Sequence, residues 1–423
     1  MKQYHIWTIG CQMNTADSEV IANYLDRAGH RKTETAEEAD LVLLNSCVVR
    51  EHAEVKVVNR LKSLKGLKKS RPDITIALTG CMVDSRIEDL KDRFPWVDLF
   101  FRPQQWDVFS RWGENRGLPS LNQEEDSVPP NPPVSAYVPI MHGCDSFCSY
   151  CVVPYRRGRA RSRDLDEVCC QVQSLVQRGA REVVLLGQIV DAYGHDLPSR
   201  PDLADLLAAL NGTEGLLRIR FLTNHPSYMS RKLIKAVAGL NKVCEHISLP
   251  IQAGDNGVLE AMKRGYTTEE YGDLVGHIRR TIPDVALSTD VIVGFPGESN
   301  EQFDKTMEVL RQTRFDKVHI AAYSPRPETS ATRNLRDDIH SEQKEARRAQ
   351  AEALQNEIAA EINATFMGRT VEVLVEDQKK GKWYGRTRGD RLVFFAGRAG
   401  MAGELASVRI EKTSAFALQG TLE

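Results

Sequence analysis

The N-terminal part of the chain alternates between short apolar runs and longer amphipathic segments. Strand-like runs cover residues 4–9, 41–45 and 74–79, and helix-like segments cover residues 18–28 and 51–65. A regular alternation of strand and helix is typical of a parallel sheet with helices on both faces. The sequence therefore predicts an N-terminal α/β domain of the doubly wound type.

A proline-rich segment separates this unit from the next. Residues 118–135 contain five prolines and three acidic residues but no basic residue, a composition that suits neither a helix interior nor a central strand. Beyond it, strand-like runs recur between helical segments. The six runs cover residues 138–141, 182–186, 218–222, 246–250, 286–293 and 315–321. Repeated β–α units predict a parallel barrel, and six of them predict a partial (β/α)6 barrel rather than the closed eight-fold form.

The C-terminal part changes its period. A charged, alanine-rich helix is predicted over residues 342–363, and Gly368 interrupts its pattern. Apolar residues then alternate with polar ones from Val371, Val373 and Val375 onward, with glycines at the turns, which predicts a small all-β barrel. The predicted domains are residues 1–117 (α/β domain), 118–135 (linker), 136–362 (barrel core) and 363–423 (β domain).

Composition limits the class of protein. The 423 residues are 41% hydrophobic and 27% charged, which is ordinary for globular proteins and argues against a fibrous or disordered chain. No apolar run reaches membrane-spanning length, and residues 1–8 show no signal-peptide pattern, so a cytoplasmic protein without a membrane partner is expected. Because the formal net charge is only −2, any nucleic-acid footprint must be local.

Three cysteines lie close together near the start of the predicted barrel. Cys144, Cys148 and Cys151 have the spacing C-x₃-C-x₂-C, and thiolates select zinc, copper(I) or iron–sulfur clusters. A structural zinc ion needs four ligands, usually as two separated pairs. A four-iron cluster bound by three cysteines instead keeps one iron open for another ligand. The spacing favours the redox cluster, with zinc and unliganded thiols as alternatives.

A second set of cysteines follows the three N-terminal strands. Cys11, Cys47 and Cys81 each come directly after a predicted strand. Functional loops gather outside the carboxyl ends of the strands in an open α/β sheet, so these thiols are expected at one edge. They form a second three-thiolate set, and the alternative is three buried cysteines without a ligand role. Disulfides are not expected in a reducing compartment.

Two basic segments are candidates for binding RNA. The first directly follows the cysteine loop and contains Arg156, Arg157, Arg159 and Arg161. The second lies in the C-terminal domain and contains Lys380, Lys382, Trp383, Arg386 and Arg388. Phosphates need cations and unstacked bases need flat partners, so both segments fit an RNA interface. Solvated helix and hairpin faces are the alternative.

Several motifs together resemble the radical S-adenosylmethionine (radical-SAM) methylthiotransferases over nearly the whole chain. They include Gly10-Cys11-Gln12-Met13-Asn14, Asn45-Ser46-Cys47-Val48-Val49-Arg50-Glu51, Thr79-Gly80-Cys81, Met262-Lys263-Arg264-Gly265-Tyr266-Thr267 and Gly294-Phe295-Pro296-Gly297-Glu298. The resemblance implies an N-terminal cluster domain, a radical-SAM core and a C-terminal TRAM domain. Around Gln12 and Met13 the chain is most similar to the branch that methylthiolates C2 of N6-isopentenyladenosine beside the tRNA anticodon.

This resemblance also implies cofactors and partners. Two [4Fe–4S] clusters are expected, one on each cysteine set; the first reduces SAM to a radical, the second carries the sulfur, and a second SAM methylates that sulfur. The residues expected to contact SAM are Tyr150, Gln188, Gly294, Pro296 and Gly297. No catalytic residue is implied beyond the cluster ligands. The expected partners of this monomeric enzyme are tRNA bearing N6-isopentenyladenosine and a reductase system as electron donor.

Two other functions stay open at the level of sequence. One is a methylthiotransferase that modifies a ribosomal-protein aspartate, and the other is an iron–sulfur redox sensor that binds RNA without turnover. Four positions depart from the family pattern, namely Ile189, Asn224, Ala253 and Glu328. They lie in or near the predicted cofactor loops, where they bear on SAM or substrate contacts and not on cluster binding.

Overall fold

The computed structural model describes residues 2–49, 51–84, 86–103 and 105–423. Within these residues, the N-terminal domain is a parallel five-stranded sheet with the order β2-β1-β3-β4-β5. Its strands are β1 (Gln3–Thr8), β2 (Arg31–Lys32), β3 (Leu41–Ser46), β4 (Thr75–Gly80) and β5 (Leu99–Phe100). Its helices are α1 (Gln12–Arg27), α2 (Glu51–Ser70), α3 (Ile87–Arg93), α4 (Trp106–Glu114) and the short α5 (Gln123–Asp126).

Helices cover both faces of this sheet, which confirms the predicted doubly wound domain. On one face Tyr4 of the sheet packs with Tyr24 of α1 and Phe109 of α4, and on the other face Leu61 and Leu64 of α2 pack against the strands. Every residue of β3 is buried, as expected of a central parallel strand. The strand order reverses between β1 and β3, and open α/β sheets bind their ligands outside such a switch point.

The second domain is a partial barrel whose six parallel strands follow chain order in the part of the chain that the structure describes. These strands are β6 (Ser135–Pro139), β9 (Glu182–Leu186), β10 (Arg218–Phe221), β11 (His246–Ser248), β12 (Ala286–Val293) and β13 (Lys317–Ala322). A parallel bridge between Ile219 and Val243 joins the two three-stranded halves. A short antiparallel pair, β7 (Met141–His142) and β8 (Arg161–Ser162), flanks the first cysteine loop. The predicted partial (β/α)6 barrel is confirmed.

Helices surround these strands. They are α6 (Val153–Arg157), α7 (Leu165–Gln177), α8 (Leu203–Asn211), α9 (Arg231–Gly239), α10 (Asn256–Ala261), α11 (Thr268–Thr281), α12 (Asn300–Thr313), α13 (Ser330–Asn334) and α14 (Ser341–Ala364). Asp202, Thr267 and Ser299 begin α8, α11 and α12 with reciprocal capping boxes, which satisfy backbone donors at those helix starts. Of the helices described, none has both the length and the apolar character needed to cross a membrane.

The N-terminal domain contacts the barrel core through α1. Met13 and Ala16 of this helix pack against Val184 and Leu186 of β9. Because α1 begins directly after Cys11, this packing brings the switch point of the N-terminal sheet beside the core strands.

The C-terminal domain is a closed β barrel with the strand order β14-β15-β16-β18-β17 among the described residues, which confirms the predicted all-β barrel. The strands are β14 (Thr370–Lys379), β15 (Lys382–Arg386), β16 (Leu392–Ala396), β17 (Leu405–Thr413) and β18 (Leu418–Leu422). Arg218, which is fully buried at the start of β10, donates to the Arg386 carbonyl at 2.6 Å and to Glu372 at 2.8 Å. This barrel therefore docks at the amino ends of the core strands.

Candidate active site

Backbone hydrogen bonds fix the first cysteine loop, residues 143–151, at both ends. The amide of Cys144 donates to the Gly158 carbonyl at 3.1 Å, and the amide of Ser149 donates to the Met262 carbonyl at 3.0 Å. The Ser149 hydroxyl donates a further bond to the end of α10. The loop is therefore held between the segment that follows it and the core helix α10.

The three thiols of this loop are close electrostatic neighbours. Cys144 and Cys148 are buried, and Cys151 is half-buried. Burial raises the pKa of Cys151 to about 12, with smaller contributions from Cys148 and Cys144. Burial also raises the pKa of Cys144, so Cys144 and Cys151 hold their protons strongly in the absence of a metal. A metal that replaced the protons of this loop would be bound by three adjacent thiolates.

A buried guanidinium contacts this set of thiols. Nη1 of Arg264 donates to Sγ of Cys148 at 3.2 Å, while its other nitrogens donate to the Tyr266 hydroxyl at 2.9 Å and the Pro250 carbonyl at 3.2 Å. Burial lowers the pKa of Arg264, but Tyr150, Tyr266 and Cys148 outweigh that effect and raise it above its usual value. Arg264 is thus a fixed cation beside the first set of cysteines.

The second set of cysteines lies at one edge of the N-terminal sheet, at the ends of β1, β3 and β4. Cys47 and Cys81 are buried, and Cys11 is exposed. Burial raises the pKa of Cys81, Arg157 opposes this rise, and the nearby Cys11 adds to it. Two of these thiols are therefore electrostatic neighbours, and a cation from the core domain lies beside them.

Two adjoining cavities lie in front of the two sets of cysteines. The larger, about 1050 Å³, is lined by Tyr150 and Cys151. The smaller, about 850 Å³, follows the inward-facing side chains of the core strands and is lined by Cys11 and Cys47. Four residues line both cavities, namely Val49, His52, Asp290 and His319. Each set of cysteines therefore opens onto a cavity that shares a wall with the other cavity.

Unpaired polar atoms lie at the carboxyl ends of the core strands. Oε1 of Gln188, after β9, is buried and has no hydrogen-bond partner among the described residues. The same holds for both amide atoms of Asn224, after β10. A buried polar atom without a partner is costly, so these amide atoms are available to a polar ligand. Neither residue is among the described residues that line the two cavities, and a SAM contact by Gln188 stays a prediction. Tyr150 lines the larger cavity.

The turn that carries Gly294, Pro296 and Gly297 was expected to contact SAM, but the structure shows it in contact with α14. Gly294 has φ 70°, and a Cβ atom there would overlap the side chain of Lys344 on α14. The amide of Gly294 donates to the Glu298 carboxylate at 2.6 Å. Within the described residues, the lining of the larger cavity does not include this turn. The close approach is therefore to α14, and a SAM contact by these three residues stays a prediction.

Three further departures from the family pattern have structural contacts. Glu328 occupies a position where glycine is usual, and its φ of 75° is one that favours glycine. Its carboxylate pairs with Arg86 at 2.9 Å and with Arg156 at 3.6 Å, so ion pairs accompany the unfavourable backbone. Ile189 and Ala253 are buried and contribute apolar packing.

The arginines that follow the first cysteine loop divide into two groups. Arg156 and Arg157 are only 7% and 5% exposed, and each pairs with a carboxylate of the N-terminal domain. Their guanidinium groups join two domains, and this burial does not support the RNA-binding prediction for them. Arg159 and Arg161 are exposed and stay candidates for phosphate contact.

The basic and aromatic residues of the β14–β15 hairpin also divide. The Trp383 ring is buried in the barrel core, where it cannot stack on a base. Arg388 donates to both carboxylate oxygens of a core-domain glutamate at 2.7 Å, so it joins domains, and Arg386 lies between two carboxylates of its own domain. Lys380 and Lys382 are exposed and remain candidates for RNA contact.

Sequence reasoning gave no role to several residues at these sites. Arg264 belongs to the motif at residues 262–267, and the sequence predicted no contact for its side chain. Asp17, which pairs with Arg157 at 3.1 Å, lies just before the helix-like segment predicted over residues 18–28, whereas α1 already begins at Gln12. His52 belongs to the shared cavity wall. Asp17 had no signal for this ion pair, because its partner lies 140 residues later in the chain, and Arg264 had no signal beyond its motif.

The arrangement fits iron–sulfur clusters. No group of three or more His, Cys, Asp or Glu side chains in the described residues is placed to hold a single metal ion. A four-iron cluster has no such requirement, because each cysteine binds a different iron. At the second set of cysteines, Nη1 of Arg157 is buried and unpaired among the described groups. A sulfur-rich anionic ligand would satisfy this donor.

Family models match all three parts of the chain. Residues 3–102 match the uncharacterized protein family UPF0004, residues 138–310 the radical SAM superfamily, and residues 364–422 the TRAM domain. With the geometry above, these matches define a radical-SAM enzyme, whose cofactors are a [4Fe–4S] cluster and SAM.

Similar proteins define the family more closely. Proteins named tRNA-2-methylthio-N(6)-dimethylallyladenosine synthase from Dehalococcoides mccartyi and Roseiflexus are 50% and 48% identical to this chain. Each alignment covers 100% of this chain, with 99% and 90% of the respective relative. A relative of the same name from Chloroflexus aurantiacus is 47% identical over 99% of the chain and 91% of its own length. The chain belongs to the family of tRNA-2-methylthio-N(6)-dimethylallyladenosine synthases.

Solved structures agree on the fold. The radical S-adenosylmethionine methyltransferase TsrM from Kitasatospora setae aligns with a TM-score of 0.57 at 13% identity, covering 78% of this chain and 75% of its own. The cobalamin-dependent S-adenosylmethionine radical enzyme OxsB aligns with a TM-score of 0.52 at 11% identity, covering 84% of this chain and 56% of its own. At these identities the likeness concerns the fold alone.

Proposed function

We propose that this enzyme methylthiolates C2 of N6-dimethylallyladenosine (N6-isopentenyladenosine) in tRNA, beside the anticodon. The observation that carries the proposal is the placement of the two sets of cysteines on adjoining cavities with a common wall. Sulfur insertion at an unactivated aromatic C–H needs a cofactor radical, because no side chain removes that hydrogen by acid–base chemistry. It also needs a sulfur source within reach of the same substrate atom.

We assign one [4Fe–4S] cluster to Cys144, Cys148 and Cys151, and a second to Cys11, Cys47 and Cys81. When bound, these clusters and SAM supply a 5′-deoxyadenosyl radical, a sulfur atom and a methyl group. The protein positions the cysteine ligands. The backbone hydrogen bonds of Cys144 and Ser149 fix the first cysteine loop, and the strand ends of the N-terminal sheet fix the second set of cysteines. Gln188 and Asn224 offer the unpaired amide atoms that would orient SAM.

The wall shared by the two cavities supports the choice of substrate. Val49 and Val55 are 47% and 48% exposed. Val49 lines both cavities and Val55 lines the larger one. Exposed apolar side chains beside a binding cavity fit an apolar ligand group, here the dimethylallyl substituent. Exposed Lys380, Lys382, Arg159 and Arg161 would contact the tRNA backbone. A reductase supplies electrons, and the enzyme acts as a monomer.

Substitution of single cysteines tests this assignment. The protein is incubated anaerobically with SAM, a reductant and tRNA containing N6-dimethylallyladenosine; 5′-deoxyadenosine and methylthiolated nucleoside are then quantified by mass spectrometry. We expect Cys148→Ala to form neither product. Cys47→Ala should form 5′-deoxyadenosine but no methylthiolated nucleoside, and Cys170→Ala, on the exposed surface of α7, is the control.

Three results would contradict the proposal. If Cys148→Ala or Cys47→Ala still formed methylthiolated nucleoside, the assignment of that cysteine as a required cluster ligand would be wrong. Methylthiolation of a ribosomal protein in place of tRNA would indicate the other branch of the family. Unaltered protein that forms no 5′-deoxyadenosine with SAM and reductant would indicate a sensor without turnover.

A further inference from the structure

Arg157 belongs to the core domain but its guanidinium lies in the N-terminal domain. The residue is the last of α6, which directly follows the first cysteine loop. Its Nη2 donates to the carboxylate of Asp17 at 3.1 Å and to the side-chain oxygen of Asn14 at 3.4 Å. Arg157 is therefore a cation that one domain supplies to the other at their junction.

The surroundings of Arg157 contain more sulfur than carboxylate. Burial lowers its pKa, whereas Asp17, Cys81 and Cys11 together raise it above its usual value. Its Nη1 is buried and makes no hydrogen bond of good geometry within the described residues, although the guanidinium lies close enough to the Cys81 thiol for a weak side-chain hydrogen bond. A buried, unpaired guanidinium nitrogen beside two thiols is an unfavourable arrangement unless an acceptor arrives. The acceptor that fits this place is the sulfur of a cluster or of its cysteine ligands.

The first set of cysteines has the same type of neighbour. Arg264 donates to Sγ of Cys148 at 3.2 Å, and its orientation is fixed by bonds to Tyr266 and the Pro250 carbonyl. The two arginines come from different elements and contact different sets of cysteines. The two sites are therefore alike in having a buried arginine beside three cysteines, and not in having a repeated sequence.

We propose that Arg157 and Arg264 are positioning residues, each donating an N–H···S hydrogen bond to a different cluster site and so raising the reduction potential of that cluster. The proposal rests on the proposed function, since it requires both clusters. A cluster gains negative charge on reduction, so a fixed cation and N–H donors stabilise the reduced form more than the oxidised form. Loss of either guanidinium should make the potential of its own cluster more negative.

The two arginines serve as controls for each other. In full-length protein with Cys144, Cys148 and Cys151 replaced by alanine, only the second cluster can form. Its midpoint potential is measured by redox titration with electron paramagnetic resonance, after iron and sulfide have been quantified. We expect Arg157→Gln to shift this potential to a more negative value and Arg264→Gln to leave it unchanged.

The reciprocal protein has Cys11, Cys47 and Cys81 replaced by alanine and forms only the first cluster. Here Arg264→Gln should shift the potential negatively, and Arg157→Gln should not. Arg157→Lys and Arg264→Lys keep the charge but lose the planar set of donors, so each should give a smaller shift than the glutamine variant.

Arg156→Gln separates this role from domain docking. Arg156 is buried on the same helix and also joins the two domains, but its partners are Asp84 and Glu328. If disturbed docking caused the shift, Arg156→Gln would shift the second cluster as much as Arg157→Gln does, and the proposal would fail. It would also fail if Arg157→Gln and Arg157→Lys kept full iron at an unchanged potential.

Iron content distinguishes this failure from a failure of the proposed function. If the protein with intact Cys11, Cys47 and Cys81 bound no cluster, the assignment of two clusters would be wrong. If Arg157→Gln alone lost iron, the Arg157→Lys potential would decide: a negative shift supports the proposal, and an unchanged potential overturns it.

Discussion

Arg220 of β10 and Glu182 of β9 form an ion pair inside the partial barrel of the core domain, with Nε of the arginine 2.8 Å from Oε2 of the glutamate. The two residues are only 4% and 2% exposed. The remaining nitrogens of Arg220 donate to the carbonyls of Thr387 and Arg388 at 2.6 and 2.8 Å. One guanidinium thus joins the inner wall of the smaller cavity to the C-terminal domain.

We expect Glu182→Gln to destabilise the protein by about 3–5 kcal/mol, because it leaves a buried guanidinium without its counter-charge. The free energy of unfolding from denaturant titration measures this effect. Glu88→Gln is the matched control: Glu88 pairs with Lys91 on the surface of α3, and such exposed pairs contribute about 0–1 kcal/mol. Equal stability of Glu182→Gln and Glu88→Gln would show that the buried pair does not stabilise the docked domains.

Gly143 precedes the first cysteine of its loop and has φ 74°, and a Cβ atom there would overlap the carbonyl oxygen of Arg159. We expect Gly143→Ala to displace the loop, so that iron and absorbance from the first cluster fall to near zero while the second cluster is kept. Iron quantification with Mössbauer spectra measures both clusters.

Gly117, which follows α4, is the control for a positive φ. It also has φ 78°, but a Cβ atom there would meet nothing within 4 Å. Gly117→Ala should cost about 1–2 kcal/mol for the positive φ and retain both clusters. If Gly143→Ala and Gly117→Ala lost iron equally, general destabilisation and not the overlap with Arg159 would explain the loss.

The fold could be predicted because periodicity reports local structure. Alternation of strand-like and helix-like segments identified both α/β domains, and period-two alternation identified the C-terminal barrel. The same alternation contained a signal that the RNA prediction overlooked. Alternate residues of a strand face the same side, and on β15 the positions of Trp383 and Gly385 are both buried in the C-terminal barrel. The burial of the Trp383 ring could therefore have been predicted from the alternation.

The partners of the arginines could not be predicted in the same way. Arg157 pairs with Asp17, 140 residues earlier in the chain, and Arg388 pairs with Glu245, 143 residues earlier. An exposed phosphate-binding arginine and a buried interdomain arginine have the same side chain and similar neighbours in sequence. Only the packing of whole domains decides which of the two roles applies.

Asp191 should make stability depend on pH. Both oxygens of its carboxylate accept from the single backbone N–H of His225 in a bifurcated hydrogen bond, and burial raises the pKa of Asp191 from 3.8 to about 8. Between these values the folded protein binds a proton that the unfolded chain has released, so stability falls as pH rises from about 4 to about 8.

Asp191→Asn removes this titration and keeps an acceptor for the His225 amide. We expect the variant to be more stable than the unaltered protein at both pH 5 and pH 8, with a clearly larger margin at pH 8. Thermal unfolding midpoints at both pH values measure the difference. A stability difference that did not change with pH would mean that Asp191 titrates normally in the folded protein.

Lys380 and Lys382 lie on either side of Gly381 in the turn between β14 and β15, and both are exposed. If they contact tRNA phosphates, the double variant Lys380→Ala/Lys382→Ala should weaken tRNA binding and reduce the slope of log Kd against log salt by about 1 per lysine. Lys91→Ala, which removes an exposed lysine of the N-terminal domain, is the control and should change neither. Filter binding over a series of salt concentrations measures both quantities. A loss of affinity with an unchanged slope would point to a folding defect of the hairpin rather than to lost phosphate contacts, because released counterions are what the slope reports.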